Sequence, residues 1–466
     1  MRELLSPAHA VSQHVHRRLG PLWSAAAVIG ILTLGGKAIG LVKEMLVAAR
    51  FGTAPELDAL LMALAIPTFA INVVVGVLPM ALTPAFVAAR TRGGLTEARQ
   101  LAGTAFRQTY RVMLVLAFAL AALTVLLAEL PGSGLSDIAR QRIPLMAAIL
   151  IPFTFLQGAS AAWTGILAAD GAFAVGALAT ASLPTMMLLS VLAFSDSLGV
   201  TAIAVGLVAG CVTQALLLGL TLRHRGLSLW ERNASLQAVN RQYIPAIAGA
   251  IFTSSCGLID QIMASALPSG AVSTLSYAGK LVAVGLGIAI VAIGTPLLPH
   301  VSRLVEQGEW LALRTFQRRA SLVVLAVTVP SSILLAFVSE PIVRIAFERG
   351  AFSANDTAQV ALVQSYYMLQ IPGQFLAVIY ARSLAAMRMT SRIGSVALVS
   401  LFVNVIGNLY FMRRMGAPGI ALSTATVQTV SALLLFVLCE RLLRERLRDG
   451  DPQFPSLAPV VAPPTS

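Results

Sequence analysis

The sequence predicts an all-α integral membrane protein of about twelve transmembrane helices, arranged as two six-helix lobes. Three observations carry that expectation. The 466 residues are 57% hydrophobic and only 11% charged, with a mean hydropathy of +0.82, whereas soluble domains carry about 25% charged residues. Long apolar runs recur along the chain, without the polar–apolar alternation of an outer-membrane barrel. The basic residues gather in alternate connecting segments, as the positive-inside rule requires.

Residues 1–21 form a polar, basic cytoplasmic segment with Arg17 and Arg18, unlike a cleavable signal peptide. Six spans follow at 22–49, 56–87, 108–129, 143–167, 172–194 and 199–222, making an N-lobe over 22–222. Residues 223–242 are a polar cytoplasmic linker. The C-lobe, 243–440, holds spans at 243–267, 272–301, 320–347, 359–387, 393–412 and 418–440. A bilayer core needs about 20 helical residues, so the longer runs imply tilt or extension beyond the core. Residues 441–466 begin as a basic helix end and finish as a cytoplasmic Pro-rich tail without periodicity.

Orientation follows from charge. Arg90, Arg92, Arg99, Arg107 and Arg111 fall after the second span, and Arg223, Arg225, Arg232 and Arg241 in or near the linker. Arg303, Arg314, Arg318 and Arg319 precede the ninth span, and Arg441, Arg444, Arg446 and Arg448 follow the twelfth. The opposite side holds Arg140, Arg142, Arg344, Arg349, Arg413 and Arg414. This bias places both termini in the cytoplasm and requires an even number of spans.

The lobes read as a repeat. GLVKEMLVAARFGTAPELDALL, from Gly40, matches GLIDQIMASALPSGAVSTLSYA, from Gly257, in its pattern of glycine, charged position, short loop and new span. Lobes of six spans share one orientation, which makes the repeat parallel about the membrane normal, with a cavity between. Prolines interrupt many spans, as at Pro67, Pro84, Pro245 and Pro330. Each is a tolerated kink or a cavity-lining hinge.

Several functions are excluded. The net charge of +13 belongs to membrane topology, because the polar segments are too short for a nucleic-acid-binding domain. Cys211, Cys256 and Cys439 lie far apart in apolar runs, and the five histidines form no ligand pattern. No GxxxxGK[ST] motif is present. Carboxylates are sparse, so an enzyme is not expected, nor a covalently bound cofactor.

Two groups of polar residues stand inside apolar spans, where an ionised side chain costs about 2.5–3.5 kcal/mol on insertion scales. Lys43 and Lys280, one in each lobe, would attract an anion such as a diphosphate if they face one cavity. Alternatively each lysine snorkels to an interface, as Arg50 is expected to do. Lys43 and Glu44 are adjacent and can pair only loosely. The second group is Asp260, Asn404, Asn408 and Thr424. Asn404 and Asn408 lie four apart, on one helix face. These oxygens suit Na+; a proton on Asp260 serves as well, and so does plain interhelical hydrogen bonding.

The stretch Lys37, Gly40, Lys43, Glu44, Phe51, Gly52, Asp58, Ala59, Ile66, Pro67 resembles the signature of the MurJ/MviN lipid II flippases, relatives of the multidrug (MATE) and O-antigen exporters. DQIMASALPSGAVSTLSYAGKLVAVGLG, RGAFSANDT and LFVNVIGNLYFMRRMGAPGIALST are similar to later segments of that family. The resemblance implies that Lys37, Lys43, Glu44, Asp58 and Lys280 serve substrate binding. It also implies that Asp260, Asn404, Asn408 and Thr424 form a Na+ site. Lysines stand where the family usually has arginines, which exchanges a planar fork for a point charge. The second span has AINVVVGVLPM in place of an arginine and E-G-A-F, and the family's two further C-terminal spans are not matched.

The implied function is a flippase in the bacterial inner membrane, working by alternating access with Na+ or H+ coupling. Its substrate would be an undecaprenyl-diphosphate-linked sugar, lipid II or a surface-polysaccharide intermediate. Envelope-synthesis proteins are expected partners besides the bilayer, and nucleic acid is not. The alternatives are a MATE-type cation-coupled exporter of small molecules and a non-transporting envelope-synthesis scaffold.

Overall fold

The structure is a computed structural model that describes residues 30, 32–129, 136–227 and 235–448. The expected N-terminal segment, the end of the tail and part of the linker lie outside them. All regular structure among the described residues is helical.

The helices are α1 (residues 32–51), α2 (Pro55–Ala70), α3 (Leu78–Ala128), α4 (Asp137–Ile149), α5 (Ile151–Ala169), α6 (Phe173–Leu198), α7 (Thr201–His224) and α8 (Gln237–Ala264). They continue with α9 (Ala271–Glu306), α10 (Trp310–Phe337), α11 (Ser339–Phe347), α12 (Ala354–Met368), α13 (Ile371–Ala386), α14 (Thr390–Met415) and α15 (Ala417–Arg448). Within the described residues each expected span falls on one of these helices or on a broken pair, and the start of the first, 22–49, lies outside them. Among the described residues, seven helices are long and apolar enough to cross a membrane singly, or eight if α4 and α5, bent by 41°, count as one span. The difference from twelve has physical causes. Breaks divide the expected spans 143–167 and 359–387 between α4 and α5 and between α12 and α13, α1 is not among the seven, and of α9 only Ala271–Gly287 counts, which is too short. In the opposite sense, the second and third expected spans run together as α2–α3.

Local chemistry explains the breaks. α2 starts at Pro55, whose missing N–H costs nothing at a helix start, and Glu56 and Asp58 complement the helix dipole in its first turn. Pro67 then removes one internal hydrogen bond, and the helix loosens into a π-turn at Ile71–Val75. The Tyr243 hydroxyl of α8 donates to the Val74 carbonyl in that turn, satisfying an acceptor inside an apolar environment. α3 bends at Gly93 and Gly94, and Gly94 sits at φ +66°, so two limbs meet there.

The described residues pack as two units. The first comprises residues up to Ser254 together with Ser265–Ser273 and Ala346–Ser353; the second comprises Ser255–Ala264, Thr274–Ile345 and Ala354 onward. In the first unit, α6 and α7 lie very close. A Cβ on Gly206 would stand 2.7 Å from the Met187 Cα, and one on Gly210 2.7 Å from the Leu183 Cα. Ser182 and Ser190 on α6 donate to the Gly210 and Ala202 carbonyls at 3.0 and 2.7 Å. Small residues and hydroxyls are how helices associate where lipid removes the hydrophobic drive. The second unit uses the same device where Gly373 approaches the Gln428 backbone and Gly407 approaches Ser423.

Arginine clusters pin one end of each unit. In the first, Asp170 pairs with Arg90 and, at 2.6 Å, with Arg225. Burial pushes the Asp170 carboxyl up, but hydrogen bonds and charge from Arg225 and Arg90 outweigh it and hold the group below the usual carboxylate range. In the second, Glu440 on α15 pairs with Arg314 and Arg318 of α10 and with Arg444.

Candidate functional site

In the first unit, Lys37, Lys43 and Glu44 lie on α1, and Asp58 lies in the first turn of α2. Lys43 and Glu44 form a direct ion pair between neighbouring side chains, each only about a tenth exposed. This corrects the expectation that adjacent residues can pair only loosely: partial burial removes competing water and favours the contact. Lys37 is exposed. Arg50, also exposed, pairs with Asp196 at 2.8 Å.

Asp58 is buried in the first unit. Its Oδ2 accepts from the Gly270 N–H at 2.6 Å, and its Oδ1 accepts from the Ser273 N–H at 2.8 Å. Ser273 Oγ in turn donates to the Gly270 carbonyl at 3.0 Å. The carboxylate therefore caps the start of α9, where the first backbone N–H groups have no partner inside the helix. Both of its oxygens face backbone donors. Ala351 N–H also donates to the Ala49 carbonyl at the end of α1, at 2.8 Å.

In the second unit, Asp260, Asn404, Asn408 and Thr424 converge, although they come from α8, α14 and α15. Asp260 Oδ1 accepts from Asn404 Nδ2 at 2.9 Å and from Asn408 Nδ2 at 2.7 Å. Asp260 Oδ2 accepts from Thr424 Oγ1 at 3.0 Å. Asn404 and Asn408 are fully buried, and Asp260 is 7% exposed. Asn404 Oδ1 and Asn408 Oδ1 are buried without a hydrogen-bond partner among the described residues. Such orphaned acceptors are rare and costly. Among the described residues no group of three or more His, Cys, Asp or Glu comes together, so the donor set here is one carboxylate with neutral oxygens. That composition suits a hard cation and not a transition metal.

Lys280, on α9, is half-buried, with its ammonium 5.8 Å from the centre of the Tyr277 ring. Two participants are not marked by the sequence. Gly270 and Ser273 act through backbone N–H groups, which no residue type advertises.

The family described as Lipid II flippase MurJ matches residues 47–450. A probable lipid II flippase MurJ of Rhizobium meliloti (strain 1021) is 30% identical over 425 residues, covering 88% of this chain and 79% of the relative. The Lipid II flippase MurJ of Burkholderia cenocepacia is 26% identical, covering 89% of this chain and 83% of the relative. Among solved structures, a lipid II flippase MurJ in an inward closed conformation superposes with TM-score 0.75 at 20% identity, over 91% of each chain. An inward-facing MATE-family multidrug transporter gives TM-score 0.75 at 12% identity, over 90% of this chain and 99% of that one. At such identity these two show the shared fold alone. The family match over most of the length, with the 30% identical relative, establishes the lineage: the chain belongs to the MurJ lipid II flippase family.

Proposed function

We propose that this multi-pass membrane protein translocates a lipid-linked sugar diphosphate across the bacterial inner membrane, with both termini in the cytoplasm. The observation that carries the reading is the persistence of Lys43 and Lys280 as partly buried cations in otherwise apolar helices, one in each unit. An anionic headgroup is the substrate chemistry such cations serve, and a cationic drug would be repelled by them. Family membership supports the same substrate class, and the arginine-rich connecting segments support the orientation.

Within this reading, Lys43 and Lys280 hold the diphosphate as point charges, and Lys37 draws the headgroup toward the entrance. Glu44 holds Lys43 in place and limits its affinity, so that the headgroup can leave again. Asp58 acts at one remove, by fixing the start of the helix that carries Lys280. Asp260, Asn404, Asn408 and Thr424 fit a Na+ ion, because the unpartnered Asn404 Oδ1 and Asn408 Oδ1 are acceptors awaiting a positive partner. Bound there, Na+ supplies the charge that balances Asp260. Moving one charge through 100 mV is worth about 2.3 kcal/mol.

The test is a proteoliposome assay in which fluorescent lipid II, a labelled polyprenyl-diphosphate polysaccharide unit and a cationic dye are offered separately. Protein-dependent flipping of a lipid-linked sugar is the expected result. Dye transport without lipid flipping would establish a MATE-type exporter, and neither activity would establish a scaffold.

A further inference from the structure

The second unit carries a groove of about 1460 Å³ whose walls come from α9, α10, α13 and α15, with Leu297, Phe316, Val324, Ile379 and Leu447 among its apolar lining. Ordinary small-ligand pockets hold about 300–1,000 Å³, so this one suits a long-chain ligand. α10 is long and apolar enough to cross a membrane, and its Leu322, Val323 and Val327 are exposed. Val323 also lines the groove, which therefore opens on the side that meets lipid. Neither the lysines nor the Asp260 cluster lines it.

Two charges of opposite sign stand in this lining, Glu309 and Arg319. Among the described residues their side chains form no ion pair or hydrogen bond, with each other or with a third group. The neighbouring cations are committed elsewhere. Arg314 and Arg318 pair with Glu440, and Arg446 lies over the Trp310 ring, 5.7 Å from its centre. Glu309 immediately precedes α10, and Arg319 follows about 15 Å further along the axis. Helical side chains tilt toward the helix start, so Arg319 leans back toward Glu309 and narrows that gap. Past Arg319 the lining continues as Ala320, Val323 and Val324. Read from the start of α10, the order is anion, cation, hydrocarbon.

A glycerophospholipid that carries an amine has the complementary order of ammonium, phosphate and acyl chains. We infer that the groove holds one zwitterionic lipid of the phosphatidylethanolamine type, with its ammonium on Glu309, its phosphate on Arg319 and a chain along Val323 and Val324. An anionic lipid such as phosphatidylglycerol satisfies Arg319 but brings no cation to Glu309. Phosphatidylcholine brings the charge without an N–H, so it forfeits the charge-assisted hydrogen bond that a primary ammonium gives a carboxylate. Arginine is suited to the phosphate because its planar fork donates two hydrogen bonds at once.

The experiment uses the full-length protein in detergent. Phosphatidylethanolamine, phosphatidylglycerol and phosphatidylcholine with identical acyl chains are titrated separately, and native mass spectrometry counts the bound lipids. Wild-type protein is expected to bind its first phosphatidylethanolamine about fivefold more tightly than either other lipid, the upper range for a partly exposed ion pair. Glu309→Gln is expected to lose the preference over phosphatidylglycerol. Arg319→Ala is expected to lose affinity for both lipids. Val323→Trp fills the chain path, leaves both charges in place, and is expected to lose the tight lipid. Equal wild-type affinities would mean a nonspecific lipid shell and overturn the inference, as would a wild-type preference for phosphatidylglycerol. An undiminished phosphatidylethanolamine preference in Glu309→Gln overturns it too. Each of the three variants tests a different contact, so one that folds poorly leaves the other two to decide.

Discussion

The Asp58 carboxylate accepts a hydrogen bond from the Ser273 backbone N–H at 2.8 Å, across 215 residues of sequence. The contact fastens the start of α9 to the start of α2 within the first unit. It also fixes the helix that carries Lys280 by its end and not by its middle. Asp58→Ala leaves the Gly270 and Ser273 N–H groups unpaired, and each buried unpaired donor costs about 1–3 kcal/mol. Asp58→Ala is therefore expected to lower thermal stability and flipping together. Asp58→Asn, which keeps one acceptor oxygen but turns an NH2 toward the second N–H, is expected to recover only part of the stability. A melting temperature unchanged in Asp58→Ala would count against the cap.

The Asp260 cluster predicts a second outcome. Asp260→Asn removes the charge that a cation would balance and keeps the hydrogen-bonding shape. The variant is expected to fold and to lose Na+-dependent thermal stabilisation, measured as the melting shift between NaCl and choline chloride. Persistence of the full shift would reassign the cluster to interhelical packing.

Close packing between α6 and α7 predicts a third. Gly210→Val would drive a side chain into the Leu183 backbone, where a Cβ alone meets the Cα at 2.7 Å. Overpacking costs typically about 1–3 kcal/mol. Lower detergent stability is the expected outcome, read as a reduced melting temperature. Gly199→Ala separates crowding from backbone strain, because its Cβ meets open space while φ stands at +56°. A Gly210→Val protein that melts with wild type would contradict the tight helix pair.

The Asp170 cluster predicts a pH dependence. Arg225 and Arg90 hold the folded carboxyl below its unfolded value, near 3.8. Its stabilisation is therefore fully present above the unfolded pKa and is lost as pH falls through the folded pKa. At pH 7 wild-type protein is expected to melt above Asp170→Asn, and the gap is expected to close as the pH is taken below about 4. A gap that widens toward acid would contradict the assignment.

Much of the site is legible in the sequence for a physical reason. Asp260, Asn404 and Asn408 are conspicuous because apolar helices do not tolerate polar side chains without partners, so their convergence is an expectation that geometry can meet. Helix breaks are foreshadowed by Pro67 and by the Gly93–Gly94 pair. The cap on α9 is not legible, since its donors are backbone N–H groups. Sequence alone does not show that both Asp58 oxygens accept from the Gly270 and Ser273 N–H groups, a capping contact that stands beside the substrate-binding role the family resemblance implies. It also underrates the direct Lys43–Glu44 pair, because adjacency says nothing of how little water surrounds the two groups.

The proposed function rests carriage of the lipid diphosphate on Lys43 and Lys280. The most direct measurement is the rate of fluorescent lipid II flipping in proteoliposomes holding equal, folded amounts of wild-type, Lys43→Ala and Lys280→Ala protein. Each alanine variant is expected to fall to the protein-free rate, with Lys→Arg at either position retaining flipping because the charge is kept. Wild-type rates in both alanine variants would contradict the account.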